Sequence, residues 1–366
     1  MTEEFDIRIG HALERLREIP DESVNLVVTS PPYWGLRDYK TEPAVFGADP
    51  ECECEWGETH SWKRRSNDSG KSEKQASNKG ANNRDEPISF NTCEKCGAWR
   101  GQLGLEQTPD HFVDHLVEIF DECRRILKPD GNLWVNLGDS YMRKGIHHKE
   151  EHYGLQKHRD EASKFRPTTI PAGYKRKDLV GLPWMFAFAA RKSGWYLRND
   201  IVWAKSISGP HYRGGVVMPE PVKDRCTRSH EYFFHFAKSE KYYYDVEAYA
   251  EEMCGPDMFG DGESTHRNMR TVWHFNPKPF AGAHFAVYPI HLIEPIIKAC
   301  SKPGDVVLDP FSGSGTTGIV ATSMGRTYIG IELNPEFAAL SHDRYKQERT
   351  GLTGSKYREA AIELKE

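Results

Sequence analysis

The chain has 366 residues, 38% of them hydrophobic, a formal net charge of -5 and a mean hydropathy of -0.69. That is enough apolar material for a core in two average domains or one decorated α/β domain, and the charge argues against a protein that coats nucleic acid nonspecifically. The longest apolar stretches, such as Val180 to Ala190, are too short for a bilayer, and the Met1-Thr2-Glu3-Glu4-Phe5 start lacks a basic or apolar leader pattern, so a soluble cytoplasmic protein without a membrane partner is expected.

In chain order, strands and helices alternate with short connections, which predicts an α/β sheet of the doubly wound kind. Ile7 to Ile9 reads as a short strand, and Ala12 to Ile19 as an amphipathic helix with Leu13, Leu16 and Ile19 on one face. Val24 to Val28 is a buried strand that opens onto Thr29-Ser30-Pro31-Pro32-Tyr33-Trp34. Pro109 to Leu127 is a helix: Phe112, Leu116, Ile119, Phe120 and Cys123 recur at helical spacing, and Pro109 suits the first turn. Lys128-Pro129-Asp130-Gly131 predicts a turn and Asn132 to Leu137 a strand. Leu182 to Ser193 follows as a helix, with Tyr196 to Ala204 and Glu231 to Ala237 as strands. Ile290 to Cys300 is a helix, and Val306 to Leu308 a strand opening onto Asp309-Pro310-Phe311-Ser312-Gly313-Ser314-Gly315-Thr316-Thr317. Gly315 to Met324 is a helix, Thr327 to Ile331 a strand and Pro335 to Tyr345 a helix.

Three insertions interrupt this frame, which itself comprises residues 1–39 and 105–350. Residues 40–104 hold four cysteines and a polar run, Arg64 to Arg84, of disordered composition. Residues 141–178 form a basic loop, with ten Lys or Arg against four acids between Arg143 and Lys177. That composition suits a localised phosphate contact, and equally a solvated loop. Residues 206–283 show little regular pattern outside Glu231 to Ala237.

Two strand-ending loops carry the chemistry, since open α/β sheets place ligands at such ends. Gly313 and Gly315 let backbone amides approach a ligand, and the helix beginning at Thr316-Thr317 attracts negative charge to its N-terminus. Glu332, at the tip of the next strand and followed by Asn334, stands where a ribose diol would be held, so with Asp309 the set points to a nucleoside ligand. In the other loop, Pro31 and Pro32 have fixed φ and no N–H, which lets their carbonyls be held outward as acceptors. Ser30 donates or accepts, and Tyr33 and Trp34 offer flat faces, a set suited to an exocyclic NH2 on a planar ring.

Thr29 to Trp34, followed much later by Asp309 to Thr317, resembles the β group of DNA amino-methyltransferases, in which the catalytic motif precedes the cofactor motif as a circular permutation. The resemblance extends to Asn136-Leu137-Gly138-Asp139-Ser140-Tyr141, Tyr196 to Ser206 and His284-Phe285-Ala286-Val287-Tyr288-Pro289. It implies a Rossmann-like, circularly permuted sheet with the Ile7 strand beside the Thr327 strand, and transfer of a methyl group from S-adenosylmethionine to N4 of cytosine or N6 of adenine. It implies that Ser30, Pro31, Pro32 and Tyr33 are catalytic, that Phe311, Gly313, Gly315, Thr316 and Thr317 line the methionine end, that Glu332 binds the ribose and that His284 and Phe285 close the pocket. Where relatives often carry an acid near the cofactor adenine, this chain has Gly10-His11. Ser30 at the head of the clamp associates by resemblance with cytosine rather than adenine. The implied partners are double-stranded DNA and a cognate restriction endonuclease, in a prokaryotic or phage-infected cell. No Pro-Cys motif is present for a covalent C5 mechanism. The same clamp chemistry also fits RNA or a protein amide, and an inactive nucleic-acid-binding frame would show decay in one of the two loops, which neither does.

Cys52 and Cys54, then Cys93 and Cys96, give two close thiol pairs in one insertion, the pattern of a tetrahedral structural zinc, with His60 as an alternative ligand. A disulfide fits a reducing cytosol poorly.

Overall fold

A computed structural model describes residues 4–35, 41–62, 88–142, 170–208, 213–215, 217, 220, 222–252, 266–276 and 288–350. Two compact units emerge: Met1–Tyr33 with Leu116–Ser140 and Leu179–Glu366, and Trp34–His115 with Tyr141–Asp178.

The first unit is an eight-stranded sheet in the order Phe5–Ile9, Thr327–Glu332, Val306–Asp309, Val24–Thr29, Leu127–Leu137, His230–Ala237, Tyr196–Ala204, Val272–His274. His230–Ala237 runs against both its neighbours, and the other pairings are parallel. The first and last long-range partners meet as expected, from Phe5 opposite Tyr328 to Ile9 opposite Glu332.

Side-chain alternation explains why helices cover both faces. On His230–Ala237, Phe233 joins a cluster with Leu26, Val28, Trp134, Leu292 and Ile296, while Phe234 and Phe236 meet Trp184 and Phe186 of the Leu182–Lys192 helix. The Ile290–Cys300 helix buries Leu292, Ile293, Ile296 and Ile297 completely, so each truncation to alanine would cost about 2–5 kcal/mol. Among the described residues no helix is long and apolar enough to cross a membrane.

Three local expectations are refined. The turn expected at 128–131 is a bulge inside one long strand: Val24 faces Leu127, yet Leu26 already faces Asn132. Within 206–283, Val272–His274 adds an edge strand through buried Trp273, a three-residue element too short to announce itself by periodicity. Residues 206–208 and 213–215 form a small hairpin, and 250–252 pair with 266–268.

The second unit contains a four-stranded antiparallel sheet, Ala44–Phe46, Trp99–Gly101, Ile88–Thr92, His60–Trp62. Its small core groups the rings of His115, Phe46 and Trp99 in a triangle, with centroids 4.7, 5.1 and 5.8 Å apart. Buried Glu106 accepts from Gly104 N at 2.9 Å and lies 3.0 Å from His115 Nδ1, and burial raises the pKa of its carboxyl. The polar run 64–84 and most of the basic loop lie outside the described residues.

Candidate active site

Val306–Asp309 and Val24–Thr29 are neighbouring parallel strands, and beyond them the chain order proceeds in opposite directions across the sheet. Such a switch point leaves a crevice at the carboxyl ends of the strands. Thr29 Oγ1 donates to Asp309 Oδ1 at 2.5 Å, so the ends that launch the two loops are tied together across 280 residues of sequence.

Asp309 is the anchor of the glycine-rich loop. Its Oδ1 also accepts from Phe311 N at 3.0 Å, and its Oδ2 from Thr317 Oγ1 at 2.8 Å and Tyr288 OH at 3.2 Å. The carboxylate is 2% exposed and burial raises its pKa, against the pull of these donors. Tyr288 OH and Thr317 Oγ1 also lie against each other, and burial pushes the Tyr288 phenol well up. Asp309 and Thr317 therefore brace the loop from beneath, with their polar atoms occupied by protein.

Above them, Gly313 and Gly315 have φ of 54° and 75°, the left-handed region that favours glycine. A Cβ on Gly315 would stand 2.0 Å from Ser341 Oγ and 3.2 Å from Phe5 Cζ, so close helix packing, beyond any ligand space, demands this glycine. Arg344, on the Pro335–Thr350 helix, donates to Ser314 O at 2.6 Å, Ser314 Oγ at 2.8 Å and Thr316 Oγ1 at 3.1 Å.

Glu332 accepts from Gly313 N and Asn334 N, each at 2.8 Å, and so joins the tips of two adjacent strands. Burial raises its pKa to about 7 even though these amides favour the anion. Gly10 N donates to Glu332 O at 3.0 Å, which brings half-buried His11 beside this strand end; burial, then Arg17, lowers the His11 pKa to about 4, so the ring is neutral near pH 7. Phe311, Glu332, Asn334 and His11 keep exposed surface, whereas Thr316 and Thr317 are buried. His284 and Phe285 lie outside the described residues.

In the other loop Pro31 is buried, and Ser30, Pro32 and Tyr33 are half-buried. Tyr33 OH donates to Glu231 Oε2 at 2.8 Å and lies 3.1 Å from Asn136 Oδ1. Trp34 departs from its expected role: it is 2% exposed, and its indole N–H donates to Glu106 O at 2.9 Å. It is a packing residue of the second unit.

The four cysteines come together as expected, with all four Sγ atoms within 4.8 Å of one another. The Cys52–Cys93 and Cys54–Cys96 sulfurs lie 4.0 and 3.8 Å apart, matching the ~3.8 Å edge of a tetrahedron with ~2.3 Å metal–sulfur bonds. Backbone N–H donors at Cys96 and Lys95 lower the Cys93 thiol to about 6, and those of Ala98 and Asp49 lower Cys96, whereas the hydrogen bond with Cys96, then burial, raises Cys52 to about 12 and burial raises Cys54. His60 lies on a strand opposite Phe90 and is not part of the group.

Sequence reasoning missed Tyr288, Arg344, Asn136, Glu231 and Lys205 as site builders. Tyr288, Asn136 and Lys205 stood in segments already singled out, whereas Arg344 and Glu231 lay in an expected helix and an expected strand with nothing to mark them.

The family model described as DNA methylase matches residues 24–343. The type II methyltransferase M.Cfr9I of Citrobacter freundii is 43% identical over 94% of this chain and 88% of its own length. M.SmaI of Serratia marcescens is 37% identical over 94% of this chain and 91% of its own. Among solved structures, the PvuII DNA methyltransferase (cytosine-N4-specific) aligns with a TM-score of 0.54 at 19% identity, covering 94% of this chain and 87% of that one. At that identity the likeness speaks for the fold.

Proposed function

The chain belongs to the DNA methylase family, and from that premise we propose that it moves a methyl group from S-adenosylmethionine to the exocyclic N4 of cytosine in double-stranded DNA. The observation that carries this reading is the Thr29–Asp309 hydrogen bond, which ties the strand end that launches the Ser30–Tyr33 loop to the one that launches the glycine-rich loop. Pairing of the chain's first strand with Thr327–Glu332 supports a circularly permuted frame.

The donor set fits S-adenosylmethionine: an acid at the tip of the second strand, left-handed glycines, and a helix N-terminus at Thr316. Glu332 takes the ribose diol, His11 and Asn334 flank the nucleoside end, and Phe311, Gly313, Gly315 and Thr316 shape the methionine end. Asp309 and Thr317 hold that shape. The bound cofactor supplies an electrophilic methyl group.

The target base must leave the duplex, at a cost of ~a few kcal/mol. Its amine lone pair is conjugated into the ring and nucleophilically poor. Ser30 Oγ and the Pro31 carbonyl accept the two amine hydrogens, draw the nitrogen toward tetrahedral geometry and aim its lone pair. Pro32 keeps the backbone rigid, and the Tyr33 ring stacks on the base. Orientation and electrostatics then carry the rate without a covalent intermediate. Ser30 at the head of the clamp supports cytosine.

Cys52, Cys54, Cys93 and Cys96 hold a structural zinc that serves the 40–104 module as a core. The type II relatives support pairing with a cognate restriction endonuclease, and residues 141–178 and 206–283 are the candidate DNA-facing insertions.

Nucleoside mass spectrometry of DNA from cells expressing the protein should show N4-methylcytosine, absent with Tyr33→Ala. N6-methyladenine in its place would overturn the base assignment, and neither mark would overturn DNA as the substrate. Elemental analysis should give about one zinc per chain, lost on combined Cys93→Ser and Cys96→Ser substitution; a metal-free preparation with full activity would sink the zinc assignment.

A further inference from the structure

A polar chain beside the clamp has no part in the chemistry above. The Tyr33 hydroxyl lies between Glu231 Oε2, 2.8 Å away, and Asn136 Oδ1, 3.1 Å away. Asn136 is oriented by its own Nδ2, which donates to Tyr232 O at 3.1 Å. The other oxygen of Glu231 takes the Lys205 ammonium in an ion pair whose side chains are only 25% and 16% exposed, and that ammonium sits 4.5 Å from the centre of the Trp203 ring. The Tyr33 ring is also closed in from the side. A Cβ on Gly138 would stand 2.7 Å from Tyr33 Cε2, so the ring runs against bare backbone.

A half-desolvated ion pair contributes little net stability, because desolvation offsets the Coulomb gain. Its geometric effect is larger. Glu231 and Asn136 ride on adjacent antiparallel strands of the central sheet, with Asn136 opposite Phe233, so both acceptors are fixed by the sheet itself. The tyrosine is thereby held at its far end by its hydroxyl and along its edge by Gly138.

We propose that Glu231, seated by Lys205, is a positioning residue that fixes the plane of the Tyr33 ring on which the target base stacks; this rests on the role given to Tyr33 above. A ring free to tilt would let the amine drift from the methyl donor, and misalignment of that kind lowers the rate of the chemical step while leaving cofactor binding alone.

The test is the single-turnover rate of methyl transfer from radiolabelled S-adenosylmethionine to saturating unmethylated genomic DNA, using the full-length protein. Tyr33→Phe, which keeps the ring and loses the hydroxyl, and Glu231→Gln should each slow transfer about tenfold. The double variant should be no slower than the slower single, since both remove one tether. Cofactor affinity and melting temperature should stay at wild-type values in Tyr33→Phe, which removes one oxygen and remains readable even if Glu231→Gln folds poorly. Wild-type rates in Tyr33→Phe with activity lost in Tyr33→Ala would overturn the tether and leave the clamp standing. Wild-type activity in Tyr33→Ala would overturn both. Additive losses in the double variant, or a higher KM for DNA at an unchanged rate, would also overturn it.

Discussion

The two loops at the centre of the sheet are held in opposite ways. The Asp309–Thr317 loop is braced from beneath by buried polar groups: one carboxylate receives four donors, and Arg344 grips the loop from the Pro335–Thr350 helix. The Ser30–Tyr33 loop is stiffened from within by two prolines and tied by a single phenol. The first construction fixes a cradle before any ligand arrives, at the risk of orphaned buried groups if one member is lost. Rigidity built from a buried network is costly to damage, whereas rigidity built from proline is local.

The largest effect should follow Asp309→Ala, which leaves the Thr29, Thr317 and Tyr288 hydroxyls without their common acceptor. A loss of about 3–5 kcal/mol in urea denaturation is expected. A loss no greater than that of a surface substitution would break the contrast, because the network would then carry no strain of its own.

Next comes Glu332→Gln, where two backbone amides and, in its proposed role, the ribose diol share one carboxylate. Calorimetry should show S-adenosylmethionine binding weakened ~10- to 100-fold, the range for a hydrogen bond to a charged group. The pKa of about 7 adds a pH signature. Diol donors favour the anion, so wild-type affinity should rise as pH increases from 6 to 8, with a proton released on binding, and the glutamine variant should lose that rise. A pH-independent wild-type affinity would remove Glu332 from the ribose.

The same group should shape the stability of the ligand-free protein. Its folded pKa lies above the ordinary carboxylate value, so the folded state binds the extra proton between about pH 4.5 and 7. That contribution is present at low pH and lost as pH rises through 7. The Glu332→Gln melting temperature should therefore fall less between pH 5 and 8 than that of the wild type; identical slopes would count against the burial of the charge.

The smallest effect belongs to Arg344→Met, which keeps the stem and removes the Nη1 that reaches Ser314 O, Ser314 Oγ and Thr316 Oγ1. A loss of ~1–2 kcal/mol and a few-fold weaker cofactor binding are expected. A cofactor effect without any stability effect would place Arg344 among the ligand contacts instead of the braces.

Much of this was legible in the chain because its cause is local. Proline and glycine dictate φ where they stand, so the two loops could be recognised within a dozen residues each. Helical spacing of Phe112, Leu116, Ile119 and Phe120 announced a buried helix face, and the paired cysteines announced their own cluster. Less visible were elements too short for a period, such as Val272–His274, and the four short strands of the second unit. Trp34 shows the limit of composition: an aromatic next to the clamp is packed away, and its neighbour Tyr33 alone keeps a half-exposed ring.

The sequence by itself determined which segments become strand-ending loops, because backbone restriction is a property of single residues and their immediate neighbours. Only the tertiary structure decided that Asp309 faces inward to Thr29, that Gly315 yields to Ser341, that Arg344 reaches the glycine loop and that Glu231 meets Tyr33. Those partners lie between 26 and 280 positions apart, and Glu231 and Tyr33 are separated by 198. No local pattern marks such a pairing, because it depends on sheet register and on which face each side chain takes after the strands have been ordered.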